Sequence, residues 1–168
     1  ESFPNKQIVF KPYKDEANYL VCKINKKCNK FTNYTFDQSG SDYWDLYSKA
    51  ELLISDFSST AYSFAIGMQR PVIFFSPNEN KLPNFILEGS YCAGRNLIGD
   101  IAHSVSELEE TVNNMLLNYE KKCKQVRMFS AEHFPNTGSA SAEAARVINA
   151  MFLESSCESM TPCKTWYK

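Results

Sequence analysis

Apolar residues along this chain fall in short blocks whose spacing switches between strand-like and helix-like, the pattern of an alternating α/β fold. The run Gln7–Lys11 reads as a strand. From Asp15 to Cys28 the apolar positions Ala17, Leu20, Val21, Ile24 and Cys28 recur at helical spacing, with Asp15 placed to cap the first free N–H groups. Phe31 to Phe36 alternates aromatic and polar residues and reads as a second strand, ending in the turn-rich Asp37-Gln38-Ser39-Gly40. Ser41 can then cap a short helix that carries Tyr43, Trp44, Leu46 and Tyr47.

The middle of the chain is more explicit. Leu52-Leu53-Ile54 is a short apolar run, residues 55–60 are mostly polar and loop-like, and Ala61 to Met68 is helical. Arg70-Pro71 breaks that helix. Val72-Ile73-Phe74-Phe75 is continuously apolar, as expected of a strand covered on both faces and therefore paired in parallel. A long loop is predicted over residues 76–84, a further strand around Asn96 to Ile98, a helix over Val105 to Phe129 and a last helix over Ser139 to Leu153. The last helix has an apolar stripe of Ala140, Ala144, Val147, Ile148 and Met151. Strands and helices in this order imply βαβ crossovers and a Rossmann-like open parallel sheet flanked by helices. At 168 residues one domain is expected, spanning 1–154, with a loose tail at 155–168. Because it opens almost directly on a strand, the chain is expected to be either an excised fragment, the favoured reading, or one with a partner domain lying upstream.

Composition narrows the function classes. The formal net charge is −1 and the lysines cluster only briefly, as at Lys26-Lys27 and Lys121-Lys122, so no nucleic-acid footprint is evident. No apolar run is long enough to cross a bilayer and no signal arrangement opens the chain, which reads as cytosolic. Six cysteines never form a C-x-x-C pair, and only His103 and His133 could join them around zinc. Free thiols are expected, with no metal site.

In an open parallel sheet, ligands bind outside the carboxyl ends of the strands, where loops lead into helix amino termini. Asp56 to Thr60 occupies such a place. The hydroxyls of Ser58, Ser59 and Thr60, the free N–H groups of the first helical turn and the helix dipole suit a diphosphate. An ordinary cap by Ser58 or Ser59, with Asp56 paired to a neighbouring loop, accounts for the same residues. Spacing alone leaves nucleotide, coenzyme and phosphorylated sugar open.

The stretch from Tyr47 through Ser55-Asp56-Phe57-Ser58-Ser59-Thr60 and Gly67-Met68-Gln69-Arg70-Pro71 to Phe75 resembles the CDP-glycerol glycerophosphotransferase family. That family's pattern is a tyrosine, a helix end, an acidic residue, apolar residues, Asp-(Phe/Tyr)-Ser-Ser, a helix, Gly-x-x-Pro and a strand. The resemblance extends weakly from Val9-Phe10-Lys11-Pro12 through Asn136-x-Gly138-x-Ala140 and the final helix. It implies the donor-binding, C-terminal half of a GT-B fold, acting in synthesis of teichoic acid or a capsule-like polymer. It also implies a role for Asp56, Ser58, Ser59 and Thr60 at the donor's phosphates. No cofactor is implied beyond a CDP-linked or other nucleotide-activated donor, which is the substrate. The implied partner is an N-terminal acceptor domain, without which the isolated piece is expected to be inactive. Peripheral contact with the inner face of the cell membrane would come through the full-length protein.

One departure matters. The family places a histidine and a proline after its first strand's Arg/Lys-Pro, whereas this chain reads Lys11-Pro12-Tyr13-Lys14. Lys11 and Tyr13 remain donor-site candidates for binding, but neither side chain at its usual pKa is a ready proton shuttle near neutrality. The catalytic residue is left unassigned. Asn136, Gly138 and Ser139 could form a second anion-facing turn or an ordinary loop and cap. Glu88, before Gly89, could meet a ribose or sit in a solvated turn. His103 and His133 are placed outside the strand-end loops, as surface residues. Tyr43, Trp44 and Tyr47 could stack on a base, although their helical spacing favours packing. A sugar-nucleotide glycosyltransferase domain and a non-catalytic interaction module are the competing functions.

Overall fold

The computed structural model describes residues 2–12, 18–38, 43–56, 58–81, 93–136 and 138–157. The chain divides into two compact units, Glu1–Arg127 and Met128–Lys168.

The first unit is α/β and Rossmann-like, and every strand pair among its described residues is parallel. Strand β1 (Ile8–Phe10) leads into helix α1 (Asn18–Cys28), strand β2 (Tyr34–Phe36) and a short helix α2 (Trp44–Lys49). Strand β3 (Leu53–Ser55), helix α3 (Thr60–Met68) and strand β4 (Val72–Phe75) follow. After a 3-10 turn at Glu79–Lys81 come helix α4 (Arg95–Ile98), strand β5 (Gly99–Ala102), helix α5 (Val105–Leu117) and helix α6 (Tyr119–His133), whose last residues belong to the second unit. The strands form two parallel pieces, β1–β2 and β3–β4–β5.

β4 lies at the centre of the three-stranded piece. Val72, Ile73 and Phe74 are all at most 2% exposed, as a continuously apolar strand requires. Ile73 packs with Ala102, Val112 and Met115, which seats α5 on one face. Phe74 meets Tyr62 of α3 at 6.5 Å between ring centres, and successive side chains of a strand alternate, so α3 covers the other face. Ala61, Phe64 and Ala65 bury the inner side of α3 completely. Tyr47 of α2 packs edge-on against Phe64 at 5.3 Å, the packing role its helical spacing favours.

The helix ends explain the boundaries. Gln69 takes the left-handed conformation at φ 55°, and Pro71 follows, so α3 stops before the expected Arg70-Pro71 break. Asn118 interrupts the helix expected over 105–129; its N–H and side-chain amide both bond to the Asn114 carbonyl, leaving two helices. The second strand is shorter than expected because Phe31 and Asn33 are used in turns. Phe31 N–H bonds to Cys28 O, and the Asn33 amide donates to the carbonyls of Phe3 and Lys6.

Asn96 to Ile98 is helical, which corrects the strand expected there; the strand begins one residue later, at Gly99. Three residues carry too little periodicity to separate the two forms. What decides the boundary is contact: a Cβ on Gly99 would lie 1.8 Å from the Val72 carbonyl oxygen, so only glycine lets β5 approach β4 here.

The second unit holds the end of α6 and helix α7 (Ala140–Cys157). Phe129 stacks on His133 at 4.5 Å and meets Phe134 at 6.0 Å. α7 runs past the expected Leu153, since Glu154-Ser155-Ser156 is polar but holds no glycine or proline to stop it. The Asp15 and Ser41 caps, and the tail beyond 157, lie outside the described residues. Among the described cysteines, Cys22, Cys28 and Cys123 are free thiols.

Gly99→Ala is expected to destabilise the chain by about 3 kcal/mol, because the clash falls on backbone that cannot yield without breaking the β4–β5 ladder. Urea unfolding of the two proteins measures it.

Candidate functional site

The carboxyl ends of β3, β4 and β5 lie side by side, since the three strands are parallel and in register from Leu53↔Val72 to Phe75↔Ala102. Three segments therefore emerge on one edge: Asp56 to Thr60 after β3, Ser76 to Glu79 after β4, and His103 after β5.

The β3–α3 corner uses part of its own polar capacity. Ser58 Oγ accepts the Thr60 N–H at 3.2 Å, and Ser58 O accepts the Ala61 N–H at 3.2 Å, so Ser58 is the working cap. Ser59 O takes the N–H groups of Tyr62 and Ser63. Ser59 already has helical backbone angles, φ −63° and ψ −23°, and its hydroxyl makes no capping bond. Fewer N–H groups of the first turn are thus open than the sequence suggests. The Ser59 N–H and the hydroxyls of Ser59 and Thr60 have no partner among the described residues. Ser59 is exposed and Thr60 half-buried. Asp56 is exposed; its carbonyl accepts the Ser58 N–H at 3.1 Å, and its carboxylate has no partner among the described residues.

Next to this corner is a cluster that the sequence did not reveal. Arg95, 4% exposed, holds the Glu79 carboxylate through both terminal nitrogens, at 2.8 and 3.2 Å, and lies over the Phe74 ring. Burial pushes the Glu79 carboxyl up, but hydrogen bonds from Arg95 and Ser76 and the charges of Arg95 and His103 outweigh it, and the net direction is down. The available signal was an arginine between Gly94 and the apolar Leu97-Ile98, where a charge must find a partner. His103 corrects the placement inferred from sequence: it follows β5 directly and stands on the strand-end edge. A three-residue error in the position of β5 had moved it away. His133 ends α6 and is held locally, with Nδ1 3.1 Å from the Phe129 carbonyl.

The other sequence candidates are elsewhere. Lys11 follows β1, its side chain 8% exposed, and is committed to Asp37 at 3.1 Å and to the Tyr43 ring at 5.0 Å. An anion would have to compete with Asp37 for it. Asn136, Gly138 and Ser139 belong to the second unit. There Ser139 N–H bonds to Asn136 O at 2.9 Å, and Gly138 has φ 87°, so these residues form a closed turn before α7. Asn136 also lines a shallow groove of about 360 Å³ with Ala140, Glu143, Ala144, Val147 and Ile148. Tyr13 and Glu88 lie outside the described residues. Trp44 is 62% exposed and rests on Gly67, while Tyr47 is buried with a hydroxyl that has no partner among the described residues. No group of three or more metal-ligating side chains occurs among the described residues, and no helix among them is long and apolar enough to cross a membrane.

Against known proteins, the profile of the family described as CDP-Glycerol:Poly(glycerophosphate) glycerophosphotransferase matches residues 9–153. The chain belongs to this family. The match to the glycerophosphotransferase profile takes in all five strands except the first residue of β1, and the whole strand-end edge. A relative named teichoic acid poly(glycerol phosphate) polymerase, from Bacillus spizizenii (strain ATCC 23059 / NRRL B-14472 / W23), is 27% identical over 116 residues. That stretch is 63% of this chain and 29% of the relative, so the chain spans well under half of its length. No solved structure matches the chain.

Two measurements separate the roles of these side chains. Ser58→Ala is expected to cost about 1 kcal/mol of stability by uncapping α3, whereas Ser59→Ala leaves stability within about 0.5 kcal/mol, both read by urea unfolding. Glu79 is the acid-sensitive group. Its carboxyl lies below the ordinary 4.5 in the folded chain, so its stabilisation is complete above that value and is lost as pH falls through the lowered one. The stability gap between wild type and Glu79→Gln should therefore close as the solution is acidified below pH 4.

Proposed function

We propose that this chain is the donor-binding part of a transferase that moves glycerol phosphate from a CDP-linked donor to a growing polymer of the teichoic acid type. In this reading residues 1–154 act as the nucleotide-binding, C-terminal half of a GT-B arrangement. A further half presents the acceptor, and the chain alone binds donor without turning it over. The full protein works in the cytoplasm at the inner face of the membrane, and the donor is its only small-molecule requirement.

One observation supports this most. Ser59 stands at the amino end of a nine-residue helix, on the carboxyl edge of a parallel sheet, with neither its N–H nor its hydroxyl partnered among the described residues. A phosphoryl oxygen supplies the acceptor these donors lack, and the helix dipole adds about 0.3 to 1 kcal/mol. Thr60 offers a second hydroxyl. Asp56 fits a different part of the ligand: a carboxylate repels phosphate but accepts hydrogen bonds from ribose or glycerol hydroxyls. The corner would therefore hold the diphosphate on Ser59 and Thr60 and a hydroxylated group on Asp56. Its contribution to the transfer is to bind the charge that collects on the departing nucleotide.

Calorimetric titration with CDP, CMP, UDP and GDP tests this. CDP is expected to bind best, and Ser59→Ala to weaken it by tenfold or more, the value of about 1.5 to 3 kcal/mol for a hydrogen bond to a charged group. A preference for UDP would move the assignment to sugar-nucleotide donors. If no nucleotide binds, the chain is an interaction module instead.

A further inference from the structure

His103 is the titratable group on the strand-end edge that the donor-binding reading leaves unused. It is held from both ends. Its backbone N–H donates to a Glu107 carboxylate oxygen at 2.8 Å, within a capping arrangement in which Ser104 Oγ accepts the Glu107 N–H at 3.1 Å. Its ring Nδ1 lies 3.2 Å from the Ser76 carbonyl oxygen. A carbonyl only accepts, so Nδ1 carries the proton and Nε2 is the free atom of the ring. The side chain is half exposed and has no further partner among the described residues.

Charged groups stand close to it. Glu79 Oε2 lies 3.9 Å from Nδ1, and Glu79 is itself fixed by the buried Arg95. Glu107 faces the backbone of His103 from α5. Around His103 the structure thus places Glu79 against the ring, Arg95 against Glu79 and Glu107 against the backbone N–H. β5, which leads directly to His103, and β3, which leads to the corner holding Ser59, are two positions apart in one sheet, a strand-to-strand spacing of about 10 Å across the edge. A nucleoside diphosphate spans such a distance.

We propose that His103 is a phosphate-contacting residue of this edge: its Nε2, as an imidazolium N–H, meets an oxygen of the nucleotide whose diphosphate rests on Ser59 and Thr60. The inference rests on the donor-binding reading above. Ser76 fixes which nitrogen is offered, and Arg95 holds the Glu79 carboxylate beside the ring. The contact is ionic and hydrogen-bonded, so no bond is made or broken at His103. It also supplies an imidazole to a chain in which Lys11-Pro12 is followed by tyrosine.

The test is an NMR titration of the 168-residue chain with and without saturating CDP, following the ring signals of its two histidines and the amides of Ser59 and Thr60. His103→Gln assigns the ring signals. CDP is expected to raise the His103 midpoint by about one pH unit or more and to leave His133 unmoved. CDP affinity should fall as pH rises through that midpoint in the wild type, and His103→Gln should flatten the dependence. Perturbed Ser59 and Thr60 amides with an unaltered His103 titration would overturn the role of His103 and leave the donor site standing. A His103 response without one at Ser59 and Thr60 would overturn the shared site. No response at any of these residues would overturn both proposals.

Discussion

The first unit depends on the burial of β4 on both faces while it is hydrogen-bonded on both edges. Ile73 belongs to the layer under α5, and Phe74 to the layer under α3. Sliding the strand by one residue would exchange these layers and put each side chain on the wrong side. Its register is therefore fixed by packing, and through the ladders it sets the height at which β3 and β5 end. Asp56, Ser76 and His103 share one edge because this strand cannot move.

That edge combines two kinds of polar group. The β3–α3 corner offers neutral donors, a backbone N–H and two hydroxyls. The β4–β5 side offers His103, whose Nδ1 lies 3.9 Å from the Glu79 carboxylate that Arg95 holds. Ser58 and Ser59 serve the helix end differently: the Ser58 hydroxyl accepts the Thr60 N–H, and the Ser59 hydroxyl makes no capping bond. Two adjacent serines of the same chemistry thus differ in role through one backbone step. Lys11 illustrates the opposite outcome. It has the right charge at a strand end, but Asp37 and Tyr43 absorb it.

Most of the fold was legible in the sequence. Val72–Phe75 declared itself as a doubly covered strand because four consecutive apolar residues fit no exposed element, and the βα order followed from the spacing on either side. The failures have a common cause. Asn96–Ile98 was misread because the boundary with β5 is decided by how closely Gly99 approaches Val72, a contact between segments far apart in sequence. The same is true of the pair Glu79 and Arg95, which nothing local connects. Ser58 and Ser59 could be located but not told apart, since which one caps a helix depends on where the backbone turns. His103 was then misplaced along with the strand that carries it.

Arg70 gives the short helix α2 a dependence of its own. One guanidinium nitrogen reaches the carbonyls of Tyr47, Ser48 and Ala50, at 3.4, 3.0 and 2.5 Å, and so closes the last turn of a six-residue helix that would not persist alone. Arg70 is itself fixed in the link between α3 and β4. Opening that link releases the end of α2 together with the strand, which makes these segments one cooperative unit, and their amides should exchange with solvent through a common opening event rather than by independent fraying.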